Sequence, residues 1–223
     1  MKSIYRGELA TRAGRRNAWL DALFIDHAAL RLFWTNFRAV EPGILYLSNH
    51  PTPGNLRRFA RQAGINTLIS LRGATGNGAD ALARETARQL GLDIIDLPMR
   101  SRVAPTRAQV LALLETFRTM RGPALVHCKS GADRAGFAGA VFLLGQGRPA
   151  AEARRQLSLR HGHMAGSPAG ILDAFVAAWG REEGGGKSFA QWVAQDYDEA
   201  ALARGFKARR LSRLFNDRIL SRE

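Results

Sequence analysis

Cys128 is the only cysteine among 223 residues, and it stands six positions before Arg134 in the stretch "ALVHCKSGADRAGFAGAVFLL", residues 124–144. A thiol reacts as the thiolate, and converging backbone N–H groups at a helix start can bring its pKa to roughly 3.5–7.5. The apolar run ahead of the cysteine reads as a strand and the apolar run after Arg134 as a helix, so Cys128 falls at a strand-to-helix break. Between the two, Lys129, Ser130, Gly131, Ala132 and Asp133 make a five-residue loop whose amides can cradle phosphate oxygens, with Gly131 allowing the tight curvature. Arg134 then closes the ring, since a planar guanidinium binds two phosphoryl oxygens at once. A sulfur at the base of that ring can attack phosphorus in line with a leaving oxygen. The alternative is a structural cysteine buried beside a helix start.

Such a loop needs rigid elements to deliver it. "EPGILYLSNHP" reads as a turn and strand, "GNLRRFARQAG" as a helix closed by Gly64, and "INTLISLRG" as a buried strand. "ADALARETARQLG" is a helix ending at Gly91, "LDIIDLPM" a further strand, "TRAQVLALLETFRTM" a helix with Thr106 as N-cap, and "GPALVHC" the strand that ends at the cysteine. This alternation predicts an α/β fold: a single mainly parallel sheet flanked by helices, with ligands expected beyond the carboxyl ends of the strands. Apolar spacing over Asn17–Phe37 predicts a helix, and "PAAEARRQLSLRHG" and "SPAGILDAFVAAWG" predict two more, closing at Gly162 and Gly180. The expected organisation is an N-terminal helical extension (1–39), a core domain (40–180), and a linker with a basic C-terminal helical tail (181–223).

Lys plus Arg number 33 against 19 for Asp plus Glu, a net charge of +14. That balance favours phosphate-rich partners: nucleic acid, anionic lipid or anionic soluble substrates. Aromatic residues do not interleave with the basic runs, so no nucleic-acid partner is expected. From Arg204 the tail alternates basic residues with Phe206, Leu211, Leu214, Phe215 and Ile219. It reads equally as a basic amphipathic helix at a membrane surface or as a helix packing its apolar stripe on the core. No apolar run approaches the roughly 20 residues that span a bilayer, and the basic N-terminus lacks a signal-peptide pattern. A cytoplasmic location is expected, with peripheral contact at the inner face of the membrane. The oligomeric state is not legible.

The run "HCKSGADRAG" resembles the signature of the cysteine-dependent phosphatases, and "EPGILYLSNHPTPGNLRRFARQAGINTLISLRG" resembles the opening of their dual-specificity branch. The resemblance covers roughly residues 40–180. It implies a phosphocysteine at Cys128 that water later hydrolyses, with Arg134 holding the phosphoryl group and His127 ordering the loop. No cofactor and no metal are expected. With "DHAALRLFW" and "QLSLRHGH" included, the chain looks like an alphaproteobacterial group of tyrosine-phosphatase-like proteins that includes phosphatidylglycerophosphate phosphatases. The substrate so implied is an anionic phospholipid. Two alternatives stand beside it: a protein tyrosine or dual-specificity phosphatase, and a catalytically weak phosphate-binding module.

Two positions depart from the family pattern. Ala135 replaces the Ser or Thr whose hydroxyl helps the thiolate leave, and "LPMRSRVAPT" carries no carboxylate where the family places its general acid. Asp133, placed as in myotubularins, is the first candidate for that acid, with capping of the following helix as its other reading. Asp96 is second and His50 third. Arg100 and Arg102 are expected at the mouth, where with Lys129 they would attract a substrate of several negative charges; solvated surface charge is the alternative. Arg160, His161 and His163 fall where the family brings a loop against the phosphate loop, with the two histidines expected as supporting hydrogen-bonders rather than metal ligands.

Overall fold

A computed structural model describes residues 3–26 and 34–208. One five-stranded sheet organises them, in the order β1-β2-β5-β3-β4. Strand β1 (Arg38–Glu41) runs antiparallel to β2 (Leu45–Ser48), while β3 (Thr67–Ser70), β4 (Asp93–Asp96) and β5 (Ala124–His127) are parallel to β2. The central β5 lies between β2 and β3, and the register aligns Ser48, His127 and Ser70 across the three strands. Their carboxyl ends therefore terminate together, and Cys128 is the next residue beyond that row.

Both faces of the central strands are covered, which is why β3 and β5 read as continuous apolar runs. Val126 and Ile69 point into a core built with α4 (Arg107–Thr119), α5 (Asp133–Gly145) and α7 (Ile171–Glu182), while their neighbours Leu125 and Leu68 point into a second cluster with α2 (Pro53–Ala63). Helix α4 begins at the predicted N-cap Thr106, which forms a capping box with Gln109, and α2 closes at the predicted Gly64, which is left-handed. Helix α5 is buried on all sides. A Cβ at Gly136 would lie 2.5 Å from the Gln156 carbonyl, so glycine there lets the following chain cross directly over the helix.

Three expected helices differ in the structure. The first is an α-helix, α1 (Arg12–Leu20), followed by a π-helical turn to Ile25; residues 27–33 lie outside the described residues, and Phe37 leads into β1. Helix α1 packs against α3 (Gly78–Gln89) so closely that a Cβ at Gly78 would meet the Ala18 carbonyl at 2.3 Å. The second is a short helix, α6 (Ala150–Ala153), with separate 3₁₀ turns at Arg154–Gln156 and Leu159–His161. The third runs through Gly180 to Glu182. Beyond the glycine-rich segment, α8 (Phe189–Gln195) sets Phe189, Trp192 and Val193 into the main core, and Tyr197 joins them with its hydroxyl donating to the Pro105 carbonyl at 2.7 Å. Residues 199–208 are helical, with Phe206 against the same core; Leu211, Leu214, Phe215 and Ile219 of the predicted tail lie outside the described residues. Among the described residues no helix is long and apolar enough to cross a membrane.

Candidate active site

The loop after β5 curls back over the sheet end. The Gly131 amide donates to Cys128 Sγ at 3.2 Å, and Gly131 takes a positive φ of 74°. A Cβ there would lie 2.6 Å from the Asn49 amide nitrogen, so only glycine fits both the turn and the close approach to the end of β2. Cys128 is buried beneath the loop. Helix α5 starts at Asp133 with Ala132 at its N-cap position, and no side chain caps it. No side chain satisfies the amides of its first turn at the N-cap, and the helix dipole makes that end partially positive. Lys129 and Ser130 are exposed on the rim, whereas Gly131 and Ala132 are buried.

Arg134 does not swing free. Its Nη1 donates to the carbonyls of Leu71 and Met99, each at 3.2 Å, which ties the guanidinium to the ends of β3 and of the segment after β4. Because Met99 touches Arg134, the next residues, Arg100 and Arg102, stand on the same segment at the site's edge, both exposed. Lys129 lies 4.0 Å from Asp26, which also accepts two hydrogen bonds from Arg72 at 2.8 and 2.7 Å. The N-terminal segment is thereby ionically fastened beside the 128–134 loop.

His127 is buried, with Nδ1 3.4 Å from the Cys128 carbonyl. Burial pushes its pKa down to about 3, against the pull of that contact, so the ring is neutral at working pH. It meets His50 edge-on at 4.8 Å. His50 is itself buried, and its amide donates to the Lys129 carbonyl at 3.2 Å. Asp96 accepts from Arg84 at 2.6 Å, and Arg84 also binds Asp80 at 2.9 Å, an arrangement that occupies Asp96 structurally.

Asp133 does not cap its helix. Its Oδ1 lies 2.7 Å from His163 Nδ1, and His163 Nε2 lies 2.6 Å from Asp173 Oδ2. His163 is only 2% exposed. Burial lowers its pKa, but the hydrogen bonds that the ring donates to both carboxylates outweigh that and raise it to about 9. His163 is therefore protonated in the folded protein at neutral pH, when an unfolded histidine is mostly neutral. Stability from this site is fully present below the ordinary histidine pKa near 6.5 and is lost as pH rises through 9. Thermal denaturation should show Tm falling by several degrees between those limits, and His163→Gln should flatten the slope.

Several contributors escape sequence reasoning. Arg38 on β1 donates from Nη1 to Asn36 Oδ1 at 2.9 Å and to the Gly131 carbonyl at 3.1 Å, and its interaction with Cys128 opposes a burial that lowers its pKa to about 10. Asn36, at φ 50°, donates to the carbonyls of Ser130 and His161 at 3.2 and 3.0 Å and so joins the 128–134 loop to the 158–164 loop. His161 contributes that carbonyl, while burial and then Arg38 and Arg160 lower the pKa of its ring. Only Asp173 left a signal, a lone carboxylate inside the apolar run "GILDAFVAAW".

The chain's fold recurs in solved phosphatases. TpbA from P. aeruginosa superposes with a TM-score of 0.53 at 22% identity, over 65% of this chain and 84% of that one. A putative DUF442 phosphatase from Shewanella putrefaciens gives 0.52 at 20% identity, over 67% and 94%. The catalytic domain of the PP-IP phosphatase Siw14 from S. cerevisiae gives 0.50 at 18%, over 63% and 85%. A search of curated proteins returned no match. The family model for the Swiss Army Knife DSP-PTPase phosphatase domain matches residues 34–168, which run from Asn36 and Arg38 through the phosphate loop to His163. On that match the chain belongs to the Swiss Army Knife DSP-PTPase family, and it is a cysteine-dependent phosphatase of the protein-tyrosine-phosphatase superfamily.

Proposed function

We propose that the enzyme removes the terminal phosphomonoester of an anionic phospholipid, such as phosphatidylglycerophosphate, at a bilayer surface. Cys128 is the only cysteine in the chain, so a cysteine-dependent reaction falls to it. In this reading its thiolate attacks phosphorus, Arg134 and the loop amides hold the equatorial oxygens, and Asp133 protonates the leaving oxygen. Water then hydrolyses the phosphocysteine.

The observation that carries the lipid assignment is the surface of the loops around the site. Leu159 is 76% exposed and Met164 60% exposed, on either side of His161 and His163; Trp34 is 51% exposed against Gly162, and Val103 45% exposed beside Arg102. Apolar side chains interleaved with Arg100, Arg102, Lys129 and Arg160 on a chain of charge +14 suit an interface between anionic headgroups and acyl chains. Vesicles carrying phosphatidylglycerophosphate should therefore release phosphate. The double variant Leu159→Asp, Met164→Asp should lose about 10-fold or more on vesicles by removal of apolar burial. Hydrolysis of soluble p-nitrophenyl phosphate should be unchanged. No phosphate release from vesicles, alongside good phosphotyrosine turnover, would overturn the lipid assignment.

That outcome would favour the second reading, a protein phosphatase. TpbA, which shares the fold, has been crystallised in complex with pTyr as a cysteine-to-serine variant. A phenol also leaves more readily than an alkyl alcohol and places less demand on the acid.

A further inference from the structure

We propose that His163 and Asp173 act as a proton reserve for Asp133, so that the general acid is the three-residue unit Asp133–His163–Asp173 rather than a lone carboxyl. The inference rests on the reading of Asp133 as the acid and deepens it. Three elements meet at this unit: the first turn of α5 supplies Asp133, the loop after the second 3₁₀ turn supplies His163, and the first turn of α7 supplies Asp173. The ring is clamped at both nitrogens, at 2.7 and 2.6 Å, so its plane and position are fixed by side chains from two helices. Asp173 is buried, whereas the Asp133 side chain keeps 30% of its surface exposed. The unit thus has a closed inner end and an open outer end, and the open end is the residue next to Arg134. Arg154, 3.9 Å from Asp173 on the first 3₁₀ turn, is the cation that faces the inner carboxylate, and Arg160 and His161 are the charged and titratable groups on His163's own loop.

This arrangement answers a problem set by the sequence. A carboxyl acid near an ordinary pKa is almost wholly deprotonated at neutral pH, and the segment that normally carries the acid holds Arg100 and Arg102 instead. An imidazolium in contact with Asp133 keeps a proton in the unit up to about pH 9. In the first step the Cys128 S–P bond forms as the P–O bond to the leaving group breaks. The leaving oxygen takes a proton from Asp133 as Asp133 takes the Nδ1 proton of the His163 imidazolium, which is left as a neutral imidazole with its Nε2–H donated to Asp173. In the second step water attacks the phosphocysteine, the S–P bond breaks to restore the thiolate, and the proton lost by water returns through Asp133 to His163. His163 and Asp173 touch neither substrate nor phosphorus, and they act as positioning residues through Asp133.

The test compares an alkyl phosphate, glycerol 3-phosphate, with the aryl p-nitrophenyl phosphate across pH for wild type, Asp133→Asn, His163→Gln and Asp173→Asn. The alkaline limb of kcat on the alkyl substrate reports the acid in the bound enzyme. In wild type it should lie near 9, and His163→Gln should move it down toward the ordinary carboxyl range, with about 10²-fold lost at neutral pH on the alkyl substrate and little on the aryl one. Asp173→Asn should move the limb in the same direction by less. If both variants keep the wild-type limb and the wild-type alkyl-to-aryl ratio while Asp133→Asn lowers that ratio, the reserve is overturned and the acid reading stands. If Asp133→Asn itself leaves the ratio unchanged, the acid reading falls and the reserve with it. Histidine side-chain NMR on the wild-type protein needs no variant to fold: His163 should carry protons on both nitrogens at neutral pH, and a neutral ring would overturn the proposal.

Discussion

Cys128→Ser should reduce p-nitrophenyl phosphate hydrolysis to background, a loss of roughly 10⁴-fold or more, while the protein keeps its fold. The effect is large because the sulfur has no substitute. It is the chain's only thiol, set one residue beyond the aligned ends of β2, β5 and β3, and the Gly131 amide donates to it at 3.2 Å. A serine hydroxyl would accept the same amide but stays protonated at neutral pH, so geometry would survive and nucleophilicity would not. Fold should survive because Cys128 is buried at the rim of the core, where a smaller polar atom with a donor at hand costs little. A loss on phosphorylated substrates that spares the circular dichroism spectrum and Tm is the expected result. Appreciable residual turnover would remove Cys128 from the chemistry.

Arg134→Lys should cost about 10²–10³-fold in kcat/KM, close to the loss of one fixed donor from a charge-stabilising site. Charge is retained in that substitution, so the loss measures geometry. Arg134 spends Nη1 on the Leu71 and Met99 carbonyls, and these anchors fix the position of the guanidinium. An ammonium has three donors but no fork: satisfying both carbonyls would leave it unable to present two parallel N–H groups to a phosphoryl group. Inorganic phosphate should accordingly inhibit the variant more weakly. If the lysine enzyme matched wild type in both turnover and phosphate inhibition, charge alone would suffice and the anchors would be incidental.

What the sequence disclosed and what it hid follow from how each feature is encoded. Strands β3 and β5 are legible because they are buried on both faces and carry unbroken apolar runs, and α2 and α4 because Gly64 and Thr106 are local punctuation. The loop from Cys128 to Arg134 is legible because its chemistry is contiguous. Strand β1 is not: Arg38–Glu41 is a short edge strand, partly exposed along its length, with no alternation to betray it. The 149–162 segment reads as one helix in the sequence, yet the helix ends at Ala153 and Leu157, at φ −101° and ψ 76°, leaves helical conformation between two 3₁₀ turns to bury its side chain in the core. The remaining site residues act across the chain. Arg38 reaches Gly131 over 93 positions and His163 reaches Asp133 over 30, and such contacts are set by the packing of α5, α7 and the sheet rather than by any local pattern. Asp133 shows the limit most clearly, since its position beside Arg134 suggests acid or cap, and only the fold reveals a histidine as its partner.

The covalent intermediate offers the most direct test. Ala135 provides no hydroxyl to help the thiolate leave, and that position is buried within α5, so breakdown of phosphocysteine is expected to be slow relative to its formation. Enzyme mixed with p-nitrophenyl phosphate should release a burst of nitrophenol, and acid quenching during the steady state should leave a phosphate mass increment on the peptide containing Cys128. Turnover without that increment, or an increment placed on any other residue, would contradict the account.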